Sequence, residues 1–152
     1  MVNNRPILNR TLFYILSWTW GIIMSIIGAI IVGCIKLFGV FTKKSFKLKR
    51  LGYCYYLEVG NNWGGLELGM FFLVGSRCGA ATRWHEHGHA IQNCFWGVLY
   101  PIVIWIPSAI RYWYRTIKYS RKNITPPTKY DAIWFEGDAT KTGRKYRAYF
   151  KK

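Results

Sequence analysis

The chain has 152 residues, room for one domain with an appended segment. Its 22 Lys and Arg against six Asp and Glu give a net charge of +16, while 51% of residues are apolar and 18% aromatic. That balance fits an anionic membrane surface better than a nucleic-acid groove, so no nucleic-acid partner is expected. Cys34, Cys54, Cys78 and Cys94 form no C-x-x-C pair, which excludes a zinc ribbon and demands no oxidising compartment.

Residues 1–10 read as a short N-terminal segment carrying Arg5 and Arg10. From 11 to 35, "TLFYILSWTWGIIMSIIGAIIVGCI" runs for 25 residues without a charge. As a helix it would extend about 37 Å, against a hydrocarbon core of about 30 Å. It therefore reads as one tilted transmembrane helix, with Tyr14, Trp18 and Trp20 near one interface. "IVGC", Ile31 to Cys34, loosely matches a bacterial lipoprotein box, but its apolar run exceeds a signal h-region of about 7–15 residues. Apolar Ile35, Leu37 and Phe38 also follow it.

Residues 36–52 read as a basic juxtamembrane linker, with Lys36, Lys43, Lys44, Lys47, Lys49 and Arg50. The positive-inside bias then sets a single-pass cell-membrane protein with its body in the cytoplasm, against the anionic lipids of the inner leaflet. The body is a domain over 53–152. Tyr53 to Gly75 alternates like a half-buried β-hairpin or small sheet, with Asn61, Asn62, Gly64 and Gly65 as turn residues and Glu58 and Glu67 on the solvent face.

A helix beginning between Gly79 and Thr82 carries all three histidines and runs into the apolar segment Phe95 to Ile110. Pro101 and Pro107 each kink or end a helix. The segment therefore enters the membrane interface and returns, or packs as core. "NITPPTK", residues 123–129, reads as a linker. Tyr130 to Gly143 reads as a short helix stopped by Gly143.

The chemistry concentrates in "HEHGH". On a helix His85 and His89 lie about 40° apart and one turn apart, so both imidazoles reach a single metal ion. Glu86, about 60° from His89, is placed to act on a water rather than to bind the metal. His87 lies near the opposite face and reads as packing or an outer group. Catalytic zinc usually takes three protein ligands, and no further His exists. Glu136, among aromatic residues, is the preferred third ligand and Asp138 the second choice. Whichever does not bind the metal can orient an imidazole from outside it.

"TRWHEHGHAI", Thr82 to Ile91, resembles the extended signature of the zincin metallopeptidases. Thr82, Gly88, Ala90 and Ile91 match that pattern, whereas Arg83 places a charge where it has none. The downstream Glu136 resembles the ligand arrangement of the gluzincin branch. "NWGGLELGMFFLVG", "HEHGHAIQNCFWGVLYP", "IPSAIRYWYR" and "YDAIWFEGDATKTG" are together similar to a family of small bacterial membrane proteins with one N-terminal span and a zincin-type motif. The resemblance implies an α+β chain. One transmembrane helix would precede a small zincin-like domain built from the sheet, the H-E-x-x-H helix, the Pro-broken membrane-proximal helices and a C-terminal ligand helix. It also implies Zn²⁺ on His85, His89 and Glu136, and Glu86 as the catalytic base.

The expected activity is hydrolysis of a peptide or membrane-protein substrate by a zinc-dependent metallopeptidase at the inner membrane surface. The alternative is a non-enzymatic, zinc-stabilised membrane interaction protein.

Overall fold

A computed structural model describes residues 6–61 and 63–151. Arg5 of the N-terminal segment and the expected turn residue Asn62 lie outside the described residues. The chain is mixed α+β, with five α-helices, shorter helical turns and a four-stranded sheet among them.

The apolar stretch 11–35 is not one helix. Helix α1 spans Arg10–Trp18 and α2 spans Ile22–Phe41. The Asn9 side chain caps α1 by accepting from the Leu12 N–H at 2.8 Å. The break over 19–21 is imposed from outside the segment. The Trp20 indole N–H donates to the Phe95 carbonyl at 3.3 Å, and the Asn93 amide donates to the Gly21 carbonyl at 3.2 Å. Phe13 and Ser17, one turn apart, are fully buried, so α1 belongs to the packed body. Among the described residues, the 20-residue α2 is long and apolar enough to cross a membrane. Its Met24, Ser25, Gly28 and Val32 are buried, while Ile23, Ile26, Ile30, Leu37 and Phe41 are exposed.

The expected linker 36–52 is likewise divided. Lys36 to Phe41 complete α2, and Lys49–Leu51 form strand β1. Strands β2 (Cys54–Glu58), β3 (Gly65–Leu68) and β4 (Phe71–Val74) complete a sheet of order β1-β2-β4-β3. Of the two forms expected over Tyr53 to Gly75, a hairpin or a small sheet, the sheet is found: β2 pairs with β4 in parallel, and β3 pairs with β4 antiparallel. The near-continuous apolar run of β4 suits a central strand flanked on both sides. Glu58 is partly exposed and bonded to Lys49 at 2.7 Å and Arg83 at 3.0 Å. Glu67 is not on a solvent face; it is 2% exposed.

Helix α3 spans Ala80–Trp96 and α5 spans Trp134–Phe150. Gly143 does not stop α5 but lies inside it, because α3 and α5 cross at backbone distance. A Cβ on Gly143 would sit 2.0 Å from the Trp84 carbonyl oxygen, and one on Gly88 2.0 Å from that of Ala139. Beyond the crossing, the buried Tyr146 hydroxyl accepts from the Leu8 N–H at 2.9 Å and donates to the Leu8 carbonyl at 3.2 Å. One core cluster, including Phe13, Phe72, Ile91 and Tyr146, lies on this side. A second gathers Met24, Leu57, Leu68, Tyr100, Ile104 and Phe135.

After α3 the chain passes through a π-helical turn, Pro101–Trp105, into α4, Ile106–Lys118, with a bend of 119°. Pro107 begins α4 rather than ending a helix, since a missing N–H costs nothing in a first turn. Leu99, Ile102, Ile106, Ile110, Trp113 and Ile117 recur at helical spacing and are all exposed, leaving an uncovered apolar stripe.

Candidate metal centre

His85 and His89 project from α3 one turn apart, and α5 brings Glu136 against them. His85 Nε2 lies 3.0 Å from Glu136 Oε2, His89 Nε2 lies 3.2 Å from the same oxygen, and the two Nε2 atoms are 3.1 Å apart. These buried residues can hold a metal ion.

The outer hydrogen bonds fix what the three atoms present. Gln92 Nε2 donates to the Phe135 carbonyl at 2.8 Å and to Asp138 Oδ2 at 2.9 Å, which leaves Gln92 Oε1 as an acceptor. That oxygen lies 2.8 Å from His89 Nδ1, so Nδ1 carries the proton and Nε2 of the neutral ring carries a lone pair. His85 Nδ1 lies 2.9 Å from Thr140 Oγ1, a hydroxyl that can accept from it. With both rings protonated at Nδ1, two lone pairs and a carboxylate oxygen converge at 3.0–3.2 Å, an arrangement that repels itself unless a cation is shared. Tetrahedral zinc with bonds of about 2.0–2.2 Å spaces its ligands by about 3.4 Å, so the triangle fits with a few tenths of an ångström of adjustment.

When the rings are instead protonated at Nε2, they donate to Glu136: burial pushes its carboxyl upward, but hydrogen bonds from His85, His89 and Ser108 then outweigh it and hold the group well below the usual range. Ser108 Oγ, from the first turn of α4, donates to Glu136 Oε1 at 2.5 Å. Asp138 is not beside the imidazoles; it orients His89 at one remove, through Gln92. No protein-family model, curated protein or solved structure matches the chain.

Glu86 faces a cavity of about 840 Å³ that the metal cluster also borders. A Cβ on Gly65 would stand 2.5 Å from Glu86 Oε1, so the strand backbone and the carboxyl come together only because position 65 is bare. Burial raises Glu86 to about 7, against the pull of His85. Tyr130 lines the cavity as well, and burial followed by the Glu136 charge keeps its hydroxyl protonated. His87 packs on the far side of α3, fully buried, its Nε2 accepting from the Tyr53 N–H at 3.3 Å.

Gln92, Thr140, Ser108, Tyr130 and Glu67 were not expected at the site. Gln92 follows His89 by three positions and Thr140 follows Glu136 by four, so their helical spacing was a usable signal. Ser108, Tyr130 and Glu67 reach the site through tertiary packing.

Glu67 lines the same cavity, its Oε1 accepting from the Gly69 N–H at 2.5 Å. Burial pushes its carboxyl well above the ordinary value of 4.5, against the pull of the Tyr100 hydroxyl and the Gly69 N–H. The folded state therefore favours the neutral form, whose stabilisation is complete below about 4.5 and is lost as pH rises through the raised folded value. Glu67→Gln keeps a neutral side chain of the same shape. Melting curves at pH 4 and pH 9 should show variant and parent alike at the lower pH, and the variant more stable at the higher. Equal alkaline losses in both would contradict the assignment.

Proposed function

We propose that this chain is a membrane-anchored zinc metallopeptidase with a zincin-like centre. The observation that carries the reading is the convergence of two imidazole Nε2 atoms and one carboxylate oxygen within 3.2 Å, each imidazole braced from behind. Zinc held there would polarise a scissile carbonyl and lower the pKa of a water. Glu86, raised to about 7 by burial, accepts the proton of the attacking water and returns it to the leaving amine. The protonated Tyr130 hydroxyl is a hydrogen-bond donor for the carbonyl oxygen as charge develops on it. Strand β3 is an edge of the sheet, and its Gly65 and Leu66 line the cavity, so an extended peptide can add beside it.

The membrane part of the reading rests on α2 and on the stripe along α4. Ile106, Ile110, Trp113 and Ile117 are exposed together, and Lys118, Arg121 and Lys122 follow at the end of the helix. Such a helix lies in an interface, with its apolar side in lipid and its cations toward anionic headgroups. The basic flank after α2 supports placing the body on the cytoplasmic side.

Metal analysis of the purified chain tests the centre. Wild type should carry about one zinc per chain, and His85→Ala and Glu136→Ala should each lose zinc, since each removes one of the three protein ligands a catalytic site needs. Unchanged zinc affinity in Glu136→Ala would remove this carboxylate from the ligand set.

The ligands join α3 to α5, the helix pair packed at backbone distance, and this favours a second reading. A zinc ion that only clamps the two helices would be bound in wild type and in Glu86→Gln alike, with no hydrolysis by either.

A further inference from the structure

Along α5, Glu136, Thr140, Arg144 and Arg147 are spaced by four, four and three residues and share one helix face. Glu136 belongs to the metal cluster and Thr140 braces His85, while Thr140, Arg144 and Arg147 line the cavity that His85 and His89 border. They lie about 12 Å and 16 Å further along the axis from Glu136.

Among the described residues these cations have no ion-pair partner. Glu58 is held by Lys49 and Arg83, Glu136 by the imidazoles, and Asp138 accepts from Gln92. Glu67 and Glu86 are buried, and Asp131, although it lines the cavity, forms no ion pair with either arginine. Among the described residues no carboxylate pairs with Arg144 or Arg147. The cavity is also lined by the aromatic side chains of Trp63, Trp105, Tyr112 and Trp113.

We propose that Arg144 and Arg147 form an anion pocket for a carboxylate of the substrate, so that the cavity takes acidic peptides that also carry an aromatic residue. The proposal rests on the peptidase reading. An extended chain advances about 3.3–3.6 Å per residue, which places the acidic group about three to five residues from the bond next to Glu86. Guanidinium groups suit this role because they grip a carboxylate through two parallel N–H bonds. A lipid headgroup fits less well: Trp113 of the exposed stripe borders this cavity, but Ile106, Ile110 and Ile117 do not line it.

The test uses the full chain carrying Glu86→Gln, loaded with zinc in uncharged detergent, so that binding is read without turnover. Two blocked peptides share a central Phe-Ala bond and differ only in carrying Glu or Gln about four residues to either side. The Glu peptide should bind about tenfold tighter, equivalent to about 1.4 kcal/mol. Adding Arg144→Gln and Arg147→Gln should bring the two affinities together while zinc content stays the same. Equal binding of both peptides before that change, or a preference that survives it, overturns the proposal. So does a double variant that loses adsorption to phosphatidylserine vesicles but keeps the peptide preference, because the arginines would then serve the bilayer. If the preference is present but the chain with native Glu86 cleaves neither peptide, the ligand class stands and the peptidase reading falls.

Discussion

Glu86→Gln should retain a full complement of zinc and lose peptide hydrolysis by about a hundredfold to ten-thousandfold, the range general-base catalysis contributes. The amide keeps the size of the side chain against the bare backbone of Gly65, so the cavity wall is preserved. It cannot accept a proton. Glu86 is also outside the ligand triangle of His85, His89 and Glu136, so removing its charge leaves the metal donors in place. The measurement pairs metal analysis with cleavage of a quenched-fluorescence peptide by both proteins. Turnover that survives the change removes Glu86 from the chemistry.

Gly88→Ala and Gly143→Ala should each lower stability by about 3 kcal/mol, the upper part of the usual overpacking range. For a chain of this size that corresponds to a melting midpoint lower by about 6–12 °C. In both cases the new methyl would stand 2.0 Å from a backbone carbonyl oxygen on the facing helix, and no side-chain rotamer relieves that contact. The helices must part, and because the imidazoles ride on α3 and the carboxylate on α5, zinc affinity should fall with stability. Gly33→Ala is the control: nothing lies within 4 Å of its added Cβ, and in a helix Ala is preferred to Gly. Chelator competition and thermal melting read both effects. A Gly88→Ala protein with unaltered melting and unaltered zinc affinity would contradict the close crossing.

The centre was legible where chemistry is written at helical spacing. His85, Glu86 and His89 declare themselves within five positions, and the scarcity of other histidines and acids narrowed the third donor to a few residues, with Glu136 preferred. What could not be read depends on distant parts of the chain. Alternation along β3 points Glu67 outward, yet Tyr100 and α3 cover that face. Gly143 looks like a helix terminator because an isolated helix gains little from an interior glycine; here its value is the approach of Trp84. The break between α1 and α2 has no signal in apolarity, being made by Asn93 and the Phe95 carbonyl more than 70 positions later. The placement of β4 between β2 and β3 is similarly non-local.

The contact between Leu8 and Tyr146 joins residues 138 positions apart, and it sets an order of events during biosynthesis. At about 5–20 residues per second, a ribosome needs roughly 7–28 s to pass from one to the other. Throughout that interval Leu8 lacks its Tyr146 anchor and depends on partners made sooner, among them the Tyr53 hydroxyl, which donates to its carbonyl at 3.2 Å. Closure of this contact therefore waits for synthesis of the final helix.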